Sequence, residues 1–507
     1  MRRKNGLNRR SSGILMHISS LPGVYGIGDL GPTAHQFIDF ICASGLRFWQ
    51  FLPTGPGDLS FGYSPYMSLS SSAGNPLFIS PELLAADNLI SADELAAHPE
   101  FSEYNVDYEA VQAYKNELLS KAFGNLKKHP KIMKRFRTFC NSEFWLDDYA
   151  LFMSIRESQG NIAWNKWPKN LALRNEKALS TCRKELFDRL KYFKFEQFCF
   201  YEQWLRLRKY AKQCHVSLVG DLPIYVAYDS ADVWVNPDCF RLNKKTLAPT
   251  SVSGVPPDYF SETGQRWGNP IYRWKIGAKK NKALYCWWQA RFQQLNKLVD
   301  VLRIDHFRAF QAYWQIQASQ KTAINGRWVK GPGAEFFDDM GDSMGNLKII
   351  AEDLGTITPE VISMRDKLGF PGMKILQFAF DSDEKNLYLP HNFDTTNCVV
   401  YTGTHDNNTT LGWLLGPESS GQAKECVRRY ANSSGDSCGS WDVIRLALAS
   451  TAVLAIIPMQ DVLGFGEDCR MNVPGTSDGN WRWRCAARFI NDEVAGRLLS
   501  EVKFYNR

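Results

Sequence analysis

Residues 299–310 read Val299-Asp-Val-Leu-Arg-Ile-Asp-His-Phe-Arg-Ala-Phe310. The run begins with apolar and β-branched residues, which favour a buried strand, and it reaches Asp305 at the end of that pattern. Because side chains alternate along a strand, Arg303 and Asp305 point to the same side. A neighbouring guanidinium favours an ionised carboxylate, and an ionised aspartate at a strand end can act as a nucleophile. For this stretch alone, a purely structural ion pair is an equally open interpretation.

Seven further runs in the sequence have strand character. They are residues 12–19, 48–52, 215–221, 347–352, 372–378, 398–402 and 452–457. Helical patterns separate several of them, for example in residues 359–368 and 441–450. Eight buried strands that alternate with helices predict a (β/α)8 TIM barrel rather than an open, doubly wound sheet.

Acidic residues recur at or just after the ends of these strands. Asp221, Asp305 and Glu352 each end a run, and Asp406 follows the run 398–402. In this barrel fold, the chemistry is placed at the face where the strands end. Because like charges held close together cost stability, their convergence on one face indicates a function.

Paired carboxyl groups of different pKa are the means by which enzymes cleave glycosidic bonds. Asp305 is predicted to attack the anomeric carbon, and Glu352, which follows an apolar run and faces a like charge, is predicted to protonate the leaving oxygen. Asp406, beside His405, is predicted to hold sugar hydroxyls and to stabilise an oxocarbenium-like transition state. The acidic cluster could alternatively bind Mg²⁺ or Ca²⁺.

Composition limits the other classes of function. The formal charge of +7 is small for 507 residues, and the basic residues are dispersed beyond the first ten, so no nucleic-acid partner is predicted. No signal peptide and no membrane-spanning stretch are expected. The twelve cysteines form no C-x-x-C pair, which argues against a zinc site or a secreted disulfide scaffold and predicts a cytoplasmic protein.

A glycine-rich segment offers an alternative that must be weighed. Gly26-Ile-Gly28-Asp-Leu-Gly31 follows a strand and precedes a helical pattern, as a dinucleotide-binding motif does. However, Asp29 would repel a pyrophosphate, and no acidic residue ends a second strand at the expected distance. Neither a cofactor nor a metal is therefore predicted.

The chain is expected to divide into three parts. Residues 12–80 would form the first part of the barrel, residues 81–213 a mainly helical insertion, and residues 214–500 the remainder of the barrel. A loop rich in Gly, Pro, Ser and Tyr follows the second strand and is too long for an idle connection. Exposed tyrosines on this loop could stack on or hydrogen-bond a ligand; alternatively, the loop packs on its own aromatic residues.

Many long segments resemble the amylomaltases, that is 4-α-glucanotransferases or disproportionating enzymes of the α-amylase clan. They include Ser20-Leu-Pro-Gly-Val-Tyr-Gly-Ile-Gly-Asp-Leu-Gly31, Gly254-Val-Pro-Pro-Asp-Tyr-Phe260, Arg303-Ile-Asp-His-Phe-Arg308, Ala351-Glu-Asp-Leu-Gly355, Tyr401-Thr-Gly-Thr-His-Asp-Asn407 and Arg470-Met-Asn-Val-Pro-Gly-Thr476. The resemblance implies that Asp305 is the nucleophile, Glu352 the general acid/base and Asp406 the transition-state stabiliser. It further implies substrate contacts for Arg303, His405, Tyr63, Asp221, Tyr259 and Asn472.

The chain departs from the family pattern at a few positions. Ala309 and Gln311 stand where relatives usually have Gly and an acid, and Met67 replaces the usual Gln after Tyr66. These positions lie beyond the catalytic residues, so they bear on how the acceptor binds rather than on the chemistry.

The resemblance implies a retaining transfer of α-1,4-glucan segments between maltooligosaccharides, without a cofactor. Transfer prevails over hydrolysis only if water is kept from the intermediate. A covering loop near residues 254–260, which carries Tyr259, is the predicted cover. A hydrolase of the same clan and a catalytically inactive glucan-binding protein are the alternatives. Chain-length preference and oligomeric state stay open.

Overall fold

The central sheet of the protein has eight short parallel strands. The computed structural model describes residue 7 and residues 9–257, 261–432 and 439–507. In chain order the strands are β1 (Ser11–Leu15), β2 (Phe48–Gln50), β3 (Ser217–Pro223), β4 (Val301–Asp305), β5 (Lys348–Ala351), β6 (Gly372–Ile375), β7 (Cys398–Tyr401) and β8 (Leu454–Pro458). Each strand overlaps one of the eight predicted runs, so that prediction is confirmed.

The strand order makes this sheet a barrel. The order is β5-β4-β3-β2-β1-β8-β7-β6, and every pairing is parallel. Pairing of Ser11 with Leu454 joins β1 to β8. Between β5 and β6, the Ala351 N–H donates to the carbonyl of Pro371 at 2.9 Å. The predicted (β/α)8 barrel is therefore confirmed.

The barrel strands are buried on both faces, which is why they read as nearly continuous apolar runs. Ile14, Leu302 and Val399 come from three different strands and have no exposed surface. The Tyr401 hydroxyl of β7 donates to Gln50 Oε1 of β2 at 2.9 Å across the interior. Each of these two buried polar groups thus has a partner.

Helices lie between consecutive barrel strands, except between β6 and β7, where the chain forms only the short 3-10 turns Leu376–Phe378 and Pro390–Asn392. The α-helices are Pro32–Ala43, Pro81–Ala86, Ala92–Ala96, Tyr108–Asn125, Pro130–Ser142, Leu146–Ser158, Lys169–Ala172, Glu176–Glu185, Phe187–Gln213, Ala231–Val235, Lys282–Leu298, Glu335–Asp339, Gly341–Met344, Pro359–Leu368, Thr410–Leu415, Gly421–Tyr430, Ser440–Ala449, Met459–Leu463 and Asp492–Phe504. Among the helices in the described ranges, none combines the length and the apolar character needed to cross a membrane.

Eight helices, from Pro81–Ala86 to Phe187–Gln213, lie between β2 and β3. The division of the chain into three parts stays a prediction. The longest of the eight helices, Phe187–Gln213, packs against the barrel, and the Trp204 indole N–H donates to the Leu298 carbonyl at 3.0 Å. This contact fixes the helical segment to the helix that precedes β4.

A second, antiparallel sheet was not predicted. We call it the outer sheet; its strands are ordered Gly326–Lys330, Ala312–Gln317, Ser251–Val255 and Gln265–Pro270. The predicted cover near residues 254–260 therefore begins inside a strand, and Tyr259 lies outside the described residues. At Gly254 a Cβ atom would stand 2.1 Å from the Gln265 carbonyl oxygen, so only glycine fits this close pairing. A small hairpin, formed by Lys275–Ile276 and Lys279–Lys280, is separate from the outer sheet.

Candidate active site

Arg303 connects two carboxylates at the C-terminal face of the barrel. Its Nη1 lies 2.6 Å from Asp221 Oδ2, and its Nη2 lies 3.0 Å from Asp305 Oδ1. Asp221 is near the end of β3 and Asp305 is the last residue of β4, so the parallel pairing of the two strands brings them together. The Arg303 side chain is only 4% exposed, and a buried guanidinium needs such partners.

The ionisation of Asp305 reflects two opposing effects. Burial raises its pKa to about 6, and the Arg303 guanidinium limits that rise. The sequence led us to expect the guanidinium to be the stronger effect, so the direction of the shift is a correction. The carboxylate still ionises below neutral pH, and 29% of the side chain remains exposed, as a nucleophile requires.

Glu352 follows β5 and is held by backbone donors. The His306 N–H donates to its Oε2 at 2.7 Å, and the Leu354 N–H donates to its Oε1 at 2.7 Å. His306 adopts a left-handed conformation, with φ of 52° and ψ of 46°, which is uncommon outside glycine. Such a conformation persists only where its surroundings hold it, and here its N–H binds the Glu352 carboxyl group.

The pKa of Glu352 is raised to about 8, first by burial and next by the charge of Asp305. The two carboxyl groups form a coupled pair, so these values belong to the pair rather than to either group alone. At neutral pH the pair therefore holds one proton. The assignment of that proton to Glu352, made from the sequence, stays a prediction.

Asp406 lies in the loop after β7 and has a different electrostatic environment. Burial alone would raise its pKa, but His405, Asn472 and Arg303 outweigh that effect and hold the pKa below its usual range. His405 Nε2 lies 3.3 Å from Asp406 Oδ2, and the Asn472 amide donates to Asp406 Oδ1 at 2.6 Å. The carboxylate is therefore ionised at neutral pH, with half of its side chain exposed.

Tyr66 belongs to the site although it was not predicted. Its hydroxyl donates to Asp221 Oδ2 at 2.8 Å, and its ring stacks on His405 with centroids 5.1 Å apart. It therefore connects the end of β3 to the loop after β7. The aromatic loop was singled out from the sequence, but Tyr63 was chosen; no local signal distinguishes the two tyrosines.

Tyr63 points away from this cluster. Its hydroxyl donates to Gln112 at 2.9 Å, and its ring stacks on Tyr108 with centroids 4.4 Å apart. Its predicted contact with substrate stays a prediction. Asn269, which also lies in a segment similar to the family, donates to the Val226 carbonyl at 3.0 Å.

The alternatives raised by the sequence are less consistent with the geometry. Among the described residues, no three His, Cys, Asp or Glu side chains cluster as metal ligands, and Arg303 stands between Asp221 and Asp305. In the glycine-rich segment, Asp29 is buried; it accepts the Gly31 N–H at 2.9 Å and pairs with Lys115 at 3.4 Å. These contacts give Asp29 a structural role.

Comparisons with known proteins were consistent with this geometry. The family model of glycoside hydrolase family 77, described as 4-alpha-glucanotransferase, matches residues 16–489. A 4-alpha-glucanotransferase from Synechocystis sp. is 46% identical over 505 residues, covering 99% of both chains. One from Clostridium butyricum is 44% identical, covering 97% of this chain and 100% of the relative. The solved amylomaltase from Streptococcus agalactiae in complex with acarbose has a TM-score of 0.93 at 38% identity and covers 98% of this chain and 100% of that one.

Proposed function

The chain belongs to the 4-alpha-glucanotransferase family, and we propose that it transfers α-1,4-glucan segments between maltooligosaccharides by a retaining double displacement. The observation that carries the assignment of roles is the Asp305–Glu352 pair. Asp305 ends β4 and Glu352 directly follows the adjacent strand β5, and burial raises the pKa of Glu352 further than that of Asp305, so the pair holds one proton at neutral pH and we assign it to Glu352.

In the first half of the reaction, an Asp305 carboxylate oxygen attacks the anomeric carbon of the donor glucan. The bond from that carbon to the glycosidic oxygen breaks, and Glu352 gives its proton to the departing oxygen. The product is a glucosyl ester on Asp305, and the released glucan carries the new 4-hydroxyl group.

In the second half, the 4-hydroxyl group of an acceptor glucan attacks the same carbon. Glu352 takes the hydroxyl proton, and the ester bond to Asp305 breaks. Asp305 is again a carboxylate and Glu352 is again protonated. Two inversions at one carbon retain its configuration.

The remaining predicted residues would position the donor sugar. The charged Asp406, with His405 and Asn472 beside it, offers acceptors and donors to sugar hydroxyls. Arg303 and Asp221 orient the nucleophile, and we add Tyr66 to this group because it contacts both Asp221 and His405.

Transfer requires that the intermediate meets a sugar before it meets water. We propose that the segment near residues 254–260, with Tyr259, excludes water as the acceptor binds. The substrates would be maltooligosaccharides and glycogen-like glucans, used as donor and acceptor. A role in cytoplasmic glycogen or maltodextrin metabolism would fit the cysteines, which form no disulfide among the described residues.

The test is to incubate the purified protein with maltotriose alone and to separate the products by size. We expect glucose together with a ladder of longer maltooligosaccharides. Glucose and maltose with rising reducing ends would identify a hydrolase instead, and unchanged maltotriose would favour a glucan-binding protein.

The same assay tests the nucleophile. Asp305→Asn removes the attacking carboxylate, so the rate should fall by about 10⁴-fold or more. Asp338→Asn, on an exposed position of the helix Glu335–Asp339, is the matched control and should behave as the parent. Equal turnover by Asp305→Asn and the parent would disprove the assignment of Asp305.

A further inference from the structure

The outer sheet contacts the turn that follows Asp305 through a tryptophan from each of its two edge strands. Trp267, in Gln265–Pro270, packs edge-on against His306 with ring centroids 4.7 Å apart. Trp328, in the opposite edge strand Gly326–Lys330, covers the Arg308 guanidinium at 3.8 Å from its ring centroid. The sheet thus holds the turn at two points.

Hydrogen bonds connect the turn after Asp305 to the segment that begins with Glu352. The Glu352 N–H donates to the Ile304 carbonyl at 3.0 Å, and the Phe307 N–H donates to the Glu352 carbonyl at 3.1 Å. The His306 N–H donates to the Glu352 side chain at 2.7 Å. Arg308 Nη1 donates to the Thr356 carbonyl and forms the far end of this connection.

Arg308 is a buried cation whose hydrogen bonds are incomplete. It is 5% exposed, and its buried Nε has no hydrogen-bond partner among the described residues. A desolvated cation is stabilised by the face of an aromatic ring, so Trp328 compensates for lost hydration. Trp328 itself is 40% exposed, and besides Arg308 it contacts the Trp314 ring of the neighbouring strand with centroids 5.2 Å apart.

We propose that Trp328 is a positioning residue for Glu352, acting through Arg308 and the Thr356 carbonyl. The inference rests on the proposed function, in which Glu352 is the general acid/base. Without the indole ring, Arg308 turns to water and releases Thr356. The segment 352–356 then loosens and water reaches the Glu352 carboxyl group, which also faces Asp305, Arg303 and Asp353. Loss of the Arg308 cation and of the Leu354 N–H would raise the pKa of Glu352, but burial is the largest cause of its present value, so hydration lowers the pKa towards the ordinary value.

The experiment compares Trp328→Ala and Trp328→Phe with the parent on maltotriose across pH. For Trp328→Ala we expect kcat to fall about tenfold, a part of the roughly 10²- to 10⁴-fold that general acid–base catalysis supplies. KM should be nearly unchanged, and the alkaline limb of the rate profile should move to lower pH. Trp328→Phe retains an aromatic face and should recover most of both properties.

Arg327→Ala is the matched control. Arg327 is the preceding residue of the same strand, is exposed, and points to the opposite side of the sheet. Its kcat, its KM and its alkaline limb should equal those of the parent. Thermal unfolding of all the variants would identify any that fails to fold. If Trp328→Ala does not fold, the comparison of Trp328→Phe with the parent tests the proposal.

Three outcomes would overturn the inference. They are an unchanged kcat in Trp328→Ala, a lower kcat with an unmoved alkaline limb, and a raised KM with unchanged kcat, which would make Trp328 a substrate contact. A parent that does not transfer glucose units at all would instead contradict the proposed function, so the two failures are distinguishable.

Discussion

The barrel rim and the helical segment between β2 and β3 each bury a glutamate with a similarly shifted pKa. Glu352 on the rim is 9% exposed, and Glu196 in the helix Phe187–Gln213 is 3% exposed. Burial is the largest cause in both cases, and it raises both pKa values to about 8. Taken alone, the pKa would mark both as candidate proton donors.

Their neighbours differ. After burial, the charge of Asp305 is the next cause that raises the pKa of Glu352, and Asp305 opens to solvent. Glu196 has the Tyr192 hydroxyl and the charge of Arg189, which oppose the rise, and the charge of Glu157, which adds to it. Glu157 is itself paired with Arg189 at 2.6 Å on the outside of the protein. A raised pKa therefore indicates burial, while a second carboxylate that ends a barrel strand at the functional face indicates chemistry.

The largest expected difference between the two glutamates is in activity. Glu352→Gln removes the proton donor, so transfer from maltotriose should fall by about 10³-fold, within the range for general acid–base catalysis. Glu196→Gln should stay within about twofold of the parent. Rates at pH 7 and thermal unfolding of both variants check this. A loss of activity in Glu196→Gln without a change in stability would break the distinction.

The pH profile sharpens the comparison. Because Asp305 must be ionised, kcat/KM should fall as pH drops through about 6. Because Glu352 must be protonated, kcat/KM should also fall as pH rises through about 8. Because the groups are coupled, the two limbs report the pair. Glu196→Gln should leave both limbs in place. If the alkaline limb moved in Glu196→Gln, that limb would report Glu196 rather than Glu352.

The smallest effect is expected in stability. The folded pKa of Glu196 lies above its ordinary value of 4.5, so its contribution is fully present below about pH 4.5 and is lost as pH rises through about 8. Glu196→Gln cannot ionise and should avoid this loss, which is at most on the order of 5 kcal/mol.

Melting temperatures of parent and variant between pH 5 and pH 9 would measure that stability difference. Glu185→Gln, on an exposed position of the preceding helix, is the control and should follow the parent. Parallel curves for the parent and Glu196→Gln would show that Glu196 does not titrate in the folded protein within this range.

The sequence was most informative where the barrel repeats itself. β-branched runs that end in acids predict β3, β4 and β5, and the period of two places Arg303 and Asp305 on one side. The structure bears out that geometry with a contact of 3.0 Å. These features depend only on neighbouring residues and on a fold whose strands share one functional face.

The sequence was less informative where distant segments meet. The strand Gly326–Lys330 of the outer sheet contains Gly, Arg and Lys and lacks a long apolar run. Its partner Ala312–Gln317 is near in sequence, but the sheet is completed by the pairing of Ala312–Gln317 with Ser251–Val255, which lies far along the chain. The choice between Tyr63 and Tyr66 depends on which ring faces His405. The pKa of Asp305 depends on how much protein surrounds it, and burial outweighs Arg303.

The pairing of β1 with β8 also has a consequence for biosynthesis. A ribosome adding about 5–20 residues per second completes β1 roughly 20–90 s before β8, which begins at Leu454. Throughout that interval one edge of β1 lacks its partner and can pair with another nascent chain. A chain that stops before Leu454 keeps Asp305, Glu352 and Asp406 but leaves β1 and β7 with open edges. Aggregation, rather than missing chemistry, is then the expected defect.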